Sequence, residues 1–375
     1  MKATINHLTK LYIRYERHVS SVSLFTGFIF TIFTLTQVDE FFENLWIGIH
    51  LLVASIGIII LNVIAKETPK GEVDENVIDQ PKQSDSPDLY FWMTFMIQFA
   101  FGGLFSTFLV FYFRSATLSV AWPFLLLLCI TFLANERLRR HYVRLSFQIS
   151  VLFLAIYSFA IYLVPVVLHR LGADMFLLST AVSLVILAVF LTILKVFTKE
   201  QFRKSRRILY FSIGGIVLVM NILYFTNLIP PIPLSLKDAG VYHEISRNMD
   251  GTYSLSYEKH RWYEVFRVFE KHHYVKGNPI YVWSAIFSPT NLDTDVIHRW
   301  QYYDEKTRRW ITATIINLRL IGGRDDGFRT FSSKSSIFPG SWRVDVETSR
   351  GQTIGRIKFD VIAATSTPKL YTEIK

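Results

Sequence analysis

The stretch that most constrains this chain is residues 208–234, ILYFSIGGIVLVMNILYFTNLIPPIPL. Its first part is an apolar run long enough to cross a bilayer, because a helix rising ~1.5 Å per residue needs about 20 residues for ~30 Å of hydrocarbon. Its end carries Pro230, Pro231 and Pro233. Proline lacks a backbone donor and turns the residue before it away from helix, so a helix is expected to stop here. Upstream the pattern is that of lipid-soluble helix. Downstream it alternates with the period of two that marks strands in water.

Composition supports the division. Of 375 residues, 51% are hydrophobic, which points to membrane residence. The net charge of +10 is shared: the first 230 residues hold 19 Lys+Arg against 14 Asp+Glu, and the last 145 hold 21 against 16. No basic block lies on the soluble side, which argues against nucleic-acid binding. The single cysteine, Cys129, sits in an apolar run, so neither an intrachain disulfide nor a cysteine metal site can form. The downstream half must therefore rest on its hydrophobic core.

Seven spans are expected, at residues 22–38, 45–65, 89–113, 118–134, 145–168, 175–194 and 208–229. The segment before them, with Lys2, Lys10, Arg14 and Arg17, suits a short interfacial helix better than a signal peptide. Orientation follows from the basic residues. The N-terminus and the segments 66–88, 135–144 and 195–207 hold 17 Lys+Arg in total, whereas the alternate short loops hold only Arg114 and Arg170. The positive-inside rule puts the N-terminus in the cytoplasm and everything after Pro230 outside. Segment 66–88 has the composition of a disordered linker.

The spans are nearly free of charge. His50 is shallow, and Lys195 can snorkel from the cytoplasmic end. Asn62, Gln98, Gln148 and Asn221 are expected to hydrogen-bond between helices, and Gly102-Gly103 and Gly214-Gly215 to mark close helix approach. Pro165 is expected to kink the fifth span.

After the prolines, residues 241–247 and 252–259 read as a hairpin about Asn248-Met249-Asp250-Gly251. Residues 262–275 and 279–288 read as a second pair, closed by Lys276-Gly277-Asn278. Segments 296–303, 309–320 and 328–334 read as further strands. The clearest hairpin is 341–348 with 353–362. A turn at Arg350-Gly351 sets Trp342 opposite Phe359 and Val344 opposite Ile357 on an inward face, with Asp345 opposite Arg356 on an outward one. The expectation is a helical membrane bundle (1–230), a membrane-proximal exit, hairpin and first strand (231–278), and a β-sandwich of immunoglobulin type (279–375).

Five segments carry a family resemblance. They are Val296-Ile297-His298-Arg299-Trp300-Gln301-Tyr302-Tyr303; Gly322-Gly323-Arg324; Gly327-Phe328-Arg329-Thr330-Phe331-Ser332-Ser333-Lys334; residues 339–348, PGSWRVDVET; and residues 351–361, GQTIGRIKFDV. In this order, over residues 279–362, they resemble the bacterial family known as domain of unknown function 2914 (DUF2914). The resemblance implies a β domain behind several membrane spans in a bacterial envelope, and no activity.

The chemistry-bearing residues give no catalytic set. Of the imidazoles, His260, His272, His273 and His298 are candidates. His272 and His273 are adjacent, so on a strand they point to opposite faces and cannot chelate together. His298 shares a face with Trp300 and reads as packing or a hydrogen bond. Asp293, Asp295, Asp325 and Asp326 suit turns better than a calcium or glycosidase site. The remaining constellation is Arg324, Arg329, Lys334 and Arg343, which would form an anion-binding or partner-binding surface if they converge. No cofactor or metal is expected. The leading expectation is an inner-membrane protein, N-terminus cytoplasmic, whose periplasmic β domain binds an envelope protein or glycan without catalysis. The alternatives are an envelope-polymer enzyme using loop carboxylates, or a transport or signalling protein acting through its helices.

Overall fold

The computed structural model describes residues 41–67, 87–115, 117–137, 145–231, 233–258, 269–288, 294–320 and 327–375. The expected span 22–38 and most of the linker at 66–88 lie outside the described residues. The chain divides into two compact units: one holds residues up to Phe111, Pro123–Pro165 and Ala173–Phe225, the other Tyr112–Trp122, Val166–Gly172 and everything from Thr226.

Six helices are described: α1 (Phe41–Glu67), α2 (Pro87–Arg114), α3 (Leu118–Arg137), α4 (Leu145–Leu168), α5 (Ala173–Phe197) and α6 (Lys199–Phe225). All but α3 are long and apolar enough to cross a membrane; the apolar run of α3, Leu118–Phe132, is shorter. Two boundaries correct the sequence reading. Segment 195–207, expected as a loop, is helical on both sides of Thr198, whose amide and hydroxyl each reach the Leu194 carbonyl at 2.9 Å. Lysine, arginine, glutamate and glutamine are good helix formers, so the helix runs past the end of the apolar pattern. At its other end α6 stops at Phe225, before the prolines, where Asn227 takes the left-handed conformation (φ 58°) common after a helix C-terminus.

α4 is the hub of this unit. Its Gln148 accepts from Asn62 of α1 at 2.7 Å, and its Tyr162 donates to Asn44 of α1 at 2.6 Å. Ser150 meets Ser212 of α6 at 2.6 Å, and Tyr157 meets Thr180 of α5 at 2.7 Å. Asn221 of α6 donates to the Tyr157 hydroxyl at 3.3 Å. Asn62, Gln148 and Asn221 thus bond between helices, as their apolar surroundings require. Gly103 is a close-approach point: a Cβ there would lie 2.8 Å from the His50 ring. Among the described residues, nothing comes within 4 Å of a Cβ built at Gly214 or Gly215. They lie on a face of α6 that also exposes Tyr210, Phe211 and Leu218.

From Ser235 on, the second unit is all-β. Its strands are β1 (Ser235–Tyr242), β2 (Glu244–Arg247), β3 (Tyr253–Glu258), β4 (Glu270–Tyr274), β5 (Ile280–Phe287), β6 (Thr294–Asp304), β7 (Arg309–Leu320), β8 (Phe328–Lys334), β9 (Gly340–Thr348), β10 (Thr353–Ala363) and β11 (Leu370–Ile374). They form three sheets, with orders β1-β5-β8, β4-β10-β9-β6-β7 and β11-β3-β2. Two hydrophobic clusters join them. Ile280, Val282 and Ile286 of β5 enter a cluster with Trp300, Trp342, Val344 and Phe359 of the five-stranded sheet. Trp283 and Ala285 enter the other, with Ile245 and Leu255 of the hairpin sheet. The β1-β5-β8 sheet is therefore covered on both faces, which explains the almost continuous burial of β5.

The β9–β10 register is the expected one: Trp342 pairs with Phe359, Val344 with Ile357 and Asp345 with Arg356. Gly351 supplies the turn at φ 87°. The outward pair is not solvated, however. Asp345 is buried, bound by Arg356 through Nε at 2.6 Å and Nη2 at 2.8 Å, because β9 lies between β10 and β6 and long arginine side chains fold over the short carboxylate. β2 and β3 pair as the expected first hairpin. The second pair does not form. β4 runs parallel to β10, while β5 lies between β1 and β8. The connection Lys276-Gly277-Asn278 is a turn that carries the chain from one sheet to another. Residues 262–268 of that expected strand lie outside the described residues.

Candidate functional site

Two polar clusters sit at the seams between sheets. The first centres on His298 of β6, which projects from the five-stranded sheet toward the β1-β5-β8 sheet. Its Nε2 is 2.9 Å from Ser284 Oγ of β5 and its Nδ1 2.8 Å from Ser332 Oγ of β8. Trp300 Nε1 donates to the same Ser332 oxygen at 3.0 Å. One arrangement satisfies every group: Trp300 donates to Ser332, Ser332 to His298 Nδ1, and His298 Nε2–H to Ser284. Burial drives the imidazole pKa down to about 4, so His298 is neutral at pH 7. Ser284 and His298 are at serine–histidine dyad distance, but both are 0% exposed, so no substrate reaches them. The cluster is a polar rivet between two sheets, which agrees with the hydrogen-bonding role read from sequence.

The second cluster was not legible as a unit. His243 lies at the bend between β1 and β2, Glu258 ends β3, and His272 and His273 are neighbours in β4. Glu258 Oε1 accepts from His243 Nε2 at 2.7 Å and from the His273 backbone N–H at 2.7 Å, and Oε2 accepts from His273 Nδ1 at 2.6 Å. The His272 ring stacks on His243 with centroids 4.0 Å apart. Burial would raise the Glu258 carboxyl. The two imidazole donors and the backbone N–H outweigh it and hold the group down at about 2. One nitrogen each from His243 and His272 and a Glu258 oxygen all lie within 4.8 Å of one another. His272 and His273 do point opposite ways. His243, which the sequence reading left out, takes the place beside His272. His260 lies outside the described residues.

The three described members of the basic constellation, Arg329, Lys334 and Arg343, do not converge. Arg324 lies outside the described residues. Lys334 reaches Thr314 of β7 at 2.7 Å, on the side where sheets face each other. Arg329, five residues earlier on β8, points to the opposite face by strand alternation. Arg343 lies on the other side of the five-stranded sheet, donating to Gln301 at 2.7 Å and stacking 4.5 Å over the Trp310 ring. Among the carboxylates, Asp295 sits in β6 opposite Arg319, and Asp293, Asp325 and Asp326 lie outside the described residues.

These features define a class: membrane-capable helices followed by an all-β unit whose sheets are pinned by buried imidazole and carboxylate clusters. Residues 293–361, from the start of β6 into β10, match the model of the family described as "Protein of unknown function (DUF2914)". That is the family whose motifs the sequence displays. No curated protein matches the chain.

Proposed function

We propose that this chain is a polytopic bacterial inner-membrane protein, N-terminus cytoplasmic, whose β unit stands in the periplasm as a noncatalytic module binding an envelope protein or glycan. The lysine and arginine asymmetry of its short segments supports the orientation. Strand order supports a sandwich of immunoglobulin type: β1-β5-β8 faces β4-β10-β9-β6-β7, β4 runs parallel to β10, and β6, flanked by β9 and β7, carries the fully buried Trp300.

The observation that carries the binding role is β7. Among the described residues this twelve-residue strand ends its sheet, and its side chains are largely open to solvent, Ile315 at 49%. An open edge of that length is a template for an added strand. Beside it, Tyr303, Trp310 and Arg343 form an aromatic–guanidinium patch, with Tyr303 and Trp310 rings 5.3 Å apart. Such a patch suits a sugar face or a carboxylate. A photo-crosslinking residue at Ile315 in living cells is expected to give a discrete adduct that is missing with the same probe at Met249. Equal labelling at the two sites would defeat the binding role.

A further inference from the structure

The His243–Glu258–His272 cluster does more than a structural ion pair requires. A hydrogen-bonded staple needs one imidazole and one carboxylate, and His273 already supplies the first. Here two further imidazoles, stacked on each other, lie beside the same carboxylate. His272 is buried, and the side chains of His243 and Glu258 are each 12% exposed. With neutral imidazoles the group carries one negative charge and offers two nitrogens and an oxygen.

We propose that His243, Glu258 and His272 bind a divalent transition ion of the zinc class, with His273 holding the second carboxylate oxygen. Nitrogen donors select such an ion over calcium or magnesium, which take oxygen ligands. At bond lengths of about 2.0–2.1 Å, a tetrahedral ion sets its ligand atoms ~3.3 Å apart. The His243–Glu258 contact, now 2.7 Å, opens by about 0.6 Å, and the widest separation in the cluster, at most 4.8 Å, closes by no more than about 1.5 Å. The ion takes the place of the proton that His243 Nε2 shares with Glu258, and that proton moves to Nδ1. The ring of His243 tilts out of its stack, which is 22° from parallel, while buried His272 stays fixed. His273 donates to Glu258 through both ring and backbone, the outer-shell support that metal-bound carboxylates receive. Three protein ligands leave a fourth position for water or for a group on a bound partner.

The ligands come from the β1–β2 bend, the end of β3 and the middle of β4. Loading therefore ties the hairpin sheet to the five-stranded sheet, and it stabilises the fold in proportion to the logarithm of ion concentration over Kd. None of this depends on which side of the membrane the β unit occupies.

The test uses the full chain in detergent, stripped with chelator and titrated with Co²⁺ and then Zn²⁺. The expected result is one ion per chain, visible absorption bands of low-symmetry Co²⁺, and an X-ray absorption spectrum showing two imidazoles. His243→Asn and Glu258→Gln are expected to weaken binding at least ~100-fold, and His273→Gln about 10–100-fold, as for outer-shell partners. No uptake by the unsubstituted chain, a spectrum without imidazole ligands, or equal uptake by His243→Asn and Glu258→Gln would each overturn the proposal. The absorption spectrum of the unsubstituted chain decides the question even if a variant fails to fold.

Discussion

The two units solve the same problem, buried polar groups, in different ways. In the helical unit the partners are mostly neutral side chains, Asn62 with Gln148, Tyr157 with Thr180 and Asn221, Ser150 with Ser212, and buried Glu43 and His50 of α1 are the titratable exceptions. In the β unit the buried partners are titratable: Asp345 under Arg356, Glu258 among histidines, and His298 between two serines. A helix satisfies its own backbone, so an apolar helical unit needs only occasional amide or hydroxyl pairs and avoids charge. Sheets satisfy their backbones laterally and leave seams where faces meet. A seam near water can hold an ion pair or an imidazole whose full complement of hydrogen bonds offsets its burial.

The contrast can be broken by substitution. The largest effect is expected in the β core: Trp342→Ala removes a 1% exposed indole packed against Tyr302 and Phe338, at a cost of about 3–5 kcal/mol. Denaturant unfolding of the purified chain, followed by hydrogen exchange in β9 and β10, reads it. An unchanged midpoint would contradict the register. Asp345→Ala strands a half-buried guanidinium and is expected to cost about 3 kcal/mol, whereas an exposed pair would cost under about 1 kcal/mol.

The His298 rivet gives a pH dependence. Its folded pKa, about 4, lies below the ordinary imidazole value of 6.5. The unfolded chain therefore takes up a proton first as pH falls. The stabilisation is complete above about pH 6.5, declines through the window between, and is gone below about pH 4, a change of about 3 kcal/mol. Protection factors at β5, β6 and β8, taken relative to the intrinsic exchange rate at each pH, should fall between pH 7 and 5, and His298→Gln should flatten that fall; the same slope in the variant would exclude His298 as its source. The smallest effect is in the helical unit. Asn62→Leu is expected to cost about 0.6 kcal/mol, the mean for such bonds between membrane helices. A loss as large as that of Asp345→Ala would erase the contrast.

What could be seen in the sequence was local. The β9–β10 register follows from alternation on both sides of one turn, and Gly351 permits that turn. β4 is a strand as expected, but its pairing was not legible, because its partner, β10, lies some ninety residues away and runs parallel, and no turn announces such a pairing. The histidine cluster was hidden for the same reason: His243, Glu258 and His272 meet only when three segments from two sheets converge. Arg343 and Lys334 looked like neighbours because each is basic and close in the chain. Alternation and sheet order put them on opposite sides of the five-stranded sheet.

The central claim is that a stack of apolar helices hands over, near Pro230, to a β domain on the far side of a membrane. A tandem reporter after Lys375 tests it most directly. Alkaline phosphatase fused there is expected to be active in intact bacteria, and a fluorescent protein that matures only in the cytoplasm is expected to stay dark. A bright fluorophore with silent phosphatase would contradict the account.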